Sequence, residues 1–219
     1  TQSAGDNLGS LTDPTGIWSG VNGFRIPELA WQQSLRDGEF VMVAGMVNQG
    51  DYFDANSYAN SGRGQFLNSA LINSMVMPLP GYNLGLNLQW QPADEWYGMI
   101  GSSVGKGHAG TLPWTGFDWD NWSLLAEFGY APRDVLGLGP GVYRIQPFLG
   151  RVTGTTSTNY TVTIPGTTNT TDVTVTSPTM SPIQAGVCFN LQQQLGKDAP
   201  FGWFGRFGFG GSQVSAGAQ

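Results

Sequence analysis

The chain has 219 residues, 12% of them aromatic, and a formal net charge of −6, a balance that argues against nucleic acid as a partner. Only 11% of the residues are charged, well under the roughly 25% of an ordinary soluble domain. Mean hydropathy is −0.15 and no stretch approaches the ~18 apolar residues that a membrane-spanning helix needs, while a lone cysteine, Cys188, excludes a disulfide framework or a multi-cysteine metal site.

Residues 1–24 form a polar, glycine-rich segment without periodicity, with a turn at Asp13-Pro14-Thr15-Gly16 and no signal-peptide pattern, as in a processed protein. Arg25 to Leu35 alternates imperfectly, with Leu29, Trp31 and Leu35 on one side. Arg36-Asp37-Gly38-Glu39 then carries the Asp-Gly signal of a tight hairpin. The return strand, Phe40 to Val47, puts Phe40, Met42, Ala44 and Met46 on one face, but its other face is not clearly polar. A stretch dense in Asp, Asn, Tyr and Gly follows, and an apolar run resumes at Phe66, which reads as a strand entering a loop and leaving it.

The alternation sharpens downstream. Tyr82 to Gln91 sets Leu84, Leu86, Leu88 and Trp90 against Asn83, Gly85, Asn87 and Gln89, and Pro92-Ala93-Asp94 reads as a turn. Glu95 to Val104 is a weaker strand with small residues on both faces. Trp122 to Tyr130 sets Trp122, Leu124, Ala126, Phe128 and Tyr130 against Ser123, Leu125, Glu127 and Gly129. In Val142 to Val152, Tyr143, Ile145 and Leu149 oppose Arg144 and Gln146. Ile183 to Leu191 and Phe201 to Phe209 repeat the pattern, with Arg206 on the polar face of the latter.

Across the four cleanest strands the apolar face carries no charge, and Trp90, Trp122 and Tyr130 fall at strand ends, where an aromatic girdle would lie. The polar face is Asn, Gln and Gly with few charges, which suits a water-filled lumen better than a charge-rich soluble surface. Short turns at residues 36–39, 92–94 and 196–200 alternate with long loops at 48–65, 105–121 and 153–182. The last of these is a Thr-rich tract whose two β-prone pieces flank Pro165-Gly166, an extended hairpin. The reading is all-β: a transmembrane antiparallel β-barrel over residues 25–219 with about nine strands. A barrel of about sixteen strands needs nearly twice this length, so the chain is expected to be the N-terminal half of a longer one.

One stretch carries a family likeness. Gly45, Met46, Asp51, Phe53, Asp54, Asn56, Tyr58, Ala59, Asn60 and Ser61, followed by Gln65 to Ala70, resemble an early block of the carbohydrate-selective porins of the OprB family. The resemblance implies passive diffusion of small sugars through an outer-membrane pore, without chemistry or cofactor. It implies surroundings of lipid and lipopolysaccharide, and porins of this kind often form homo-oligomers. It also makes Asp51, Asp54, Asn56 and Arg63 constriction candidates, where amides and charges meet sugar hydroxyls. Alternation makes Glu127, Arg144 and Arg206 lumen candidates.

Other constellations are weaker. Asp51, Asp54, Asn56 and Asn60 offer oxygen ligands at odd spacing, but a calcium loop would need Gly where Asn56 stands and Glu where Gly62 stands, so no metal is expected. Gly101 to Gly107 fails as a phosphate loop, with Ile100 in place of the first Gly and Gly107 in place of Ser or Thr. His108 is the sole histidine and no nucleophile elbow accompanies it. Asp118 and Asp120 among Trp114, Phe117, Trp119 and Trp122 resemble a sugar-handling patch with Trp114 and Trp119 as stacking faces, or else interface aromatics. Two carboxylates so close on an extended segment leave no room for a substrate between them, so no enzyme is expected. Beside the sugar channel stand two alternatives: a structural or adhesive barrel working through its Thr-rich hairpin, and a soluble β-sandwich that binds sugar.

Overall fold

The computed structural model describes residues 28–62, 64–105, 117–151, 154–163, 170–179, 183–196 and 201–211. Among the described residues ten strands run in chain order: β1 (Leu29–Leu35), β2 (Phe40–Val47), β3 (Asn83–Ala93), β4 (Trp96–Val104), β5 (Trp122–Tyr130), β6 (Gly141–Arg151), β7 (Gly154–Thr163), β8 (Thr170–Thr179), β9 (Gln184–Gln194) and β10 (Gly202–Gly210). Eight of them form one antiparallel sheet in the order β1-β2-β3-β4-β5-β6-β9-β10, and β7 with β8 forms a separate hairpin. That hairpin, paired from Gly154↔Thr179 to Thr163↔Thr170, accounts for the Thr-rich tract. The Pro165-Gly166 turn expected at its tip lies outside the described residues.

Period-2 patterning divides the sheet into two faces. Register places Phe40, Met42 and Ala44 of β2 opposite Trp90, Leu88 and Leu86 of β3, which settles the facing of β2. Leu84, Leu86, Leu88, Trp96, Ile100, Leu124, Phe128, Ile145, Phe207 and Phe209 are all exposed on this face. Within β3, β4, β5, β9 and β10 it carries no charged residue. A sandwich would bury such a face against a second sheet; here it stands open, a surface suited to hydrocarbon rather than water. Aromatic side chains collect at its ends. At the short-turn end Phe40 stacks on Trp90 (6.1 Å between centroids), Trp96 on Tyr130 (4.4 Å) and Tyr130 on Tyr143 (6.5 Å). The Trp90 indole N–H, which needs a partner in such a setting, donates to Glu39 Oε1 at 3.1 Å. Trp122 sits at the other end of β5, so the nine residues of that strand separate the two levels by roughly 26 Å along the strand at ~3.3 Å per residue.

The connections follow the sequence reading in part. The β1–β2 turn takes the expected residues 36–39, between the paired Leu35 and Phe40, and Arg36, Asp37 and Gly38 all take positive φ there (53°, 55° and 95°). Strand β3 runs on through Pro92 to Ala93, with a register shift between Trp90 and Ala93. Such a bulge tolerates the missing proline N–H, and Asp94-Glu95 makes the turn. The β5–β6 ladder is likewise interrupted where Ala126 and Glu127 face Pro147 and Gln146. The apolar run at Phe66 forms no strand. Instead the described residues from 48 to 82 stay out of the sheet, with a 3-10 turn at Gln49–Asp51 and a helical turn at Ser69–Ile72.

This excursion packs on the polar face. Phe53 and Met77 from it form a buried cluster with Leu125, Phe148 and Cys188 of the sheet, flanked by Tyr52, Val76, Leu79 and Met99. Burying a side chain such as Phe53 contributes about 1.5–3 kcal/mol, so the excursion is held as part of the fold. The sheet thus has one face open to an apolar medium and the other covered in part by its own chain. Placing lysine at Leu88, mid-strand on the open face, is expected to cost about 2–4 kcal/mol on folding into lipid vesicles, measured as a lowered urea midpoint. Lysine at the neighbouring Gln89, on the polar face, should leave the midpoint within experimental error.

Candidate functional site

The polar face carries one continuous network across β4, β5, β6, β9 and β10, and the excursion is fastened to it. Its first centre is Glu127 on β5, 1% exposed. The Tyr97 hydroxyl donates to Glu127 Oε1 at 2.6 Å, and Gln146 Nε2 donates to Oε2 at 2.6 Å. Arg144 Nε donates to the Tyr97 oxygen at 2.9 Å and lies 3.5 Å from Glu127 Oε1. Both carboxylate oxygens are therefore taken, and the guanidinium offsets a charge that burial would otherwise make costly. Arg144 Nη1 reaches on, at 3.5 Å each, to Asn190 Oδ1 and Gln192 Oε1 of β9.

The second centre is Asp54, in the excursion and 1% exposed. Its Oδ1 accepts from Arg206 Nε at 2.9 Å and from Asn190 Nδ2 at 2.7 Å, and its Oδ2 accepts from the Ser74 N–H at 2.6 Å. Burial pushes the Asp54 carboxyl above its ordinary pKa, against the opposing pull of Arg206, the Ser74 N–H and Asn190. The Arg206 guanidinium also donates to three backbone carbonyls of the excursion: Asp54 (2.9 Å), Ala59 (2.7 Å) and Leu71 (2.9 Å). Asn56 Nδ2 donates to Asn190 Oδ1 at 2.8 Å, and Gln192 exchanges bonds with Ser57, accepting from its N–H at 2.8 Å and donating to its Oγ at 2.9 Å. Asp54 itself has φ of +59°, a left-handed conformation that Asp tolerates better than most residues.

Glycines give the excursion its seats. A β-carbon at Gly101 of β4 would overlap the Phe53 ring, and one at Gly202 of β10 would overlap the Tyr58 ring. The wall repeats the device internally, with Tyr97 lying over Gly129 and Phe148 over Gly186. Ring-over-glycine contacts of this kind restore buried surface where a glycine leaves a gap, and they explain part of the high glycine content.

Of the other expected site residues, the described Asp51 and Trp119 lie apart from this network. Asp51 is exposed at the start of the excursion, and its hydrogen bond to Glu28 is the main cause that raises the Glu28 carboxyl above its ordinary pKa. Trp119 is 73% exposed ahead of β5 and meets Phe117 edge-on at 4.7 Å. The Asp118 carboxylate beside them is spent on a local turn, accepting from the Asp120 N–H at 2.9 Å and Asn121 Nδ2 at 2.6 Å. Arg63 and Trp114 lie outside the described residues, as does His108. No group of three or more His, Cys, Asp or Glu is arranged to hold a metal among the described residues. The sequence reading did not single out Tyr97, Asn190, Gln192 or Ser74; for Asn190 and Gln192 the signal was their place on the polar face of β9. Substituting Gly101→Ala is expected to destabilise the protein by about 1–3 kcal/mol through overpacking. Adding Phe53→Ala should recover part of that loss, a coupling readable in a double-mutant cycle of urea midpoints.

The comparisons with known proteins bear on the whole chain. The family model described as "Carbohydrate-selective porin, OprB family" matches residues 1–218. An uncharacterized protein of Aquifex aeolicus (strain VF5) is 33% identical over 94 residues, covering 42% of this chain and 26% of that protein. A structure of Pseudomonas putida OprB at high pH superposes with a TM-score of 0.57 and 15% identity, covering 84% of this chain and 44% of that one. The chain thus spans less than half the length of either relative, and the structural likeness is one of fold, a porin barrel. Because the family match extends over nearly every residue, the chain belongs to the carbohydrate-selective porins of the OprB family.

Proposed function

We propose that the sheet is an arc of an outer-membrane channel in a Gram-negative-type bacterium, through which small sugars and other small solutes diffuse passively. The observation that carries this reading is the division of charge between the two faces. Glu127, Arg144 and Arg206 stand on one face, and the other is apolar between two levels of aromatic rings. In a bilayer the apolar face meets lipid and the polar face meets water. The excursion from residue 48 to 82 then narrows the passage from within, with Asp54 and Asn56 on its wall side and Asp51 nearer the mouth.

The work of such a channel is displacement of water by hydroxyl groups, with no bond made or broken. An amide-rich wall suits that task, because Asn and Gln each offer a donor and an acceptor to a sugar hydroxyl at little cost in charge desolvation. Arg63 and Trp114 keep their expected roles at the constriction and in sugar stacking from the sequence alone. Trp119 supports the same reading through its exposed ring. Lipid and lipopolysaccharide are the expected neighbours of the apolar face, and assembly into a homo-oligomer accords with this picture.

Reconstituted in planar bilayers, the intact porin is expected to give discrete conductance steps that millimolar sugar reduces reversibly. A protein that stays monomeric and soluble without detergent, or bilayers that show no steps, would overturn the proposal.

A further inference from the structure

We infer that the charged side chains of the polar wall act as a latch for the excursion rather than as ligands for solute, with Arg206 as the positioning residue that fixes the width of the passage. The inference rests on the channel reading above. A group that recognises solute must have free donors or acceptors facing water. Arg206 has few: its side chain is 8% exposed, and its Nε, Nη1 and Nη2 are all engaged, to the Asp54 carboxylate and to the carbonyls of Asp54, Ala59 and Leu71. Those three carbonyls span residues 54 to 71 of the excursion, so one guanidinium fork ties its early part to its helical turn at Ser69–Ile72. The planar, five-donor geometry of arginine allows this and a lysine's point charge does not.

Glu127 is equally committed, with both oxygens taken by Tyr97 and Gln146, and Arg144 donates to Tyr97 at 2.9 Å and reaches Asn190 and Gln192 at 3.5 Å each. The charges therefore cancel in pairs, Glu127 with Arg144 within the wall and Asp54 of the excursion with Arg206 of the wall. Phe53 on Gly101 and Tyr58 on Gly202 add shape to the latch, because each ring fits only where the wall lacks a side chain. A last contact offers a direct test: Ser74 Oγ of the excursion lies 3.2 Å from the native Cys188 Sγ of β9. Substituting Ser74→Cys would bring two thiols within reach of a disulfide after a shift of about 1 Å.

The experiment uses the intact porin in bilayers and in detergent. Arg206→Met is expected to raise single-channel conductance and admit larger neutral polymers. In detergent it should speed cleavage by proteinase K within residues 65–77 roughly tenfold or more, since cleavage follows the undocked population. Adding Ser74→Cys and oxidising should return both readouts toward those of the parent, and dithiothreitol should release them again. Ser74→Cys alone, oxidised, should conduct as the parent does. Arg206→Lys, a milder change for the case that Arg206→Met fails to assemble, should show the same direction. Parental cleavage and conductance in an assembled Arg206 variant would overturn the latch, as would an oxidised Ser74→Cys channel with altered conductance. Loss of all conductance in the parent counts against the channel reading, and the cleavage rates then still decide the latch.

Discussion

Among the contacts that hold the excursion between β2 and β3 on the sheet, one buried carboxylate gathers the most partners, and much of the polar face depends on it. Asp54 collects a backbone N–H, a side-chain amide and a guanidinium, each from a different part of the chain. Charge-assisted bonds of this sort are roughly twice as strong as neutral ones, and stripping one partner from a buried pair costs about 3–5 kcal/mol because the other charge is left stranded. The apolar cluster of Phe53, Met77, Leu125, Phe148 and Cys188 forms only if the excursion lies where Asp54 holds it. Packing and polarity therefore reinforce each other at one place.

The other face follows from a different constraint. Hydrocarbon offers no hydrogen bonds, so every backbone group must find its partner within the sheet. The uninterrupted meander from β1 to β6, then β9 and β10, meets this with near-continuous ladders. Interruptions fall where proline sits, at Pro92 beside the turn and at Pro147 against Ala126. At Pro147 the side chains of Gln146 and Glu127 bond to each other across the gap, so a weakness in the ladder is bridged on the watery side.

How much of this was legible in the sequence depends on the range of the interaction. Strands β3, β5, β9 and β10 were readable because their two faces meet different media, which writes a period of two directly into the residues. Strand β4 was fainter, since Gly98 and Ser102 stand among its outward positions. The family motif drew attention to Asp54 and Asn56, which the structure joins to Asn190. Nothing local could announce that Tyr97 meets Glu127 and Arg144, because that depends on the registers of β4, β5 and β6. The run at Phe66 misled for a similar reason: Phe66 packs against Phe204 of β10, 5.7 Å between centroids, and a short apolar run reads alike whether its partner is a neighbouring strand or a distant one. The Asp-Gly pair at residues 37–38 marked the turn at 36–39 correctly, and three successive positive φ values shape it.

The separation of Asp54 from Arg206 along the chain, 152 residues, also bears on the order in which the molecule can assemble. Neighbouring strands can pair as soon as each hairpin closes, since those contacts are local. The seat for the excursion exists only after β9 and β10 have joined the sheet, because Asn190, Gln192, Gly202 and Arg206 all lie on them. The segment must therefore wait, solvated and undocked, while the wall is built beyond it. Its many Asn, Ser and Gly residues suit that interval, since they break its apolar stretches at Phe66 and Met75 into short pieces less able to pair with an unfinished edge.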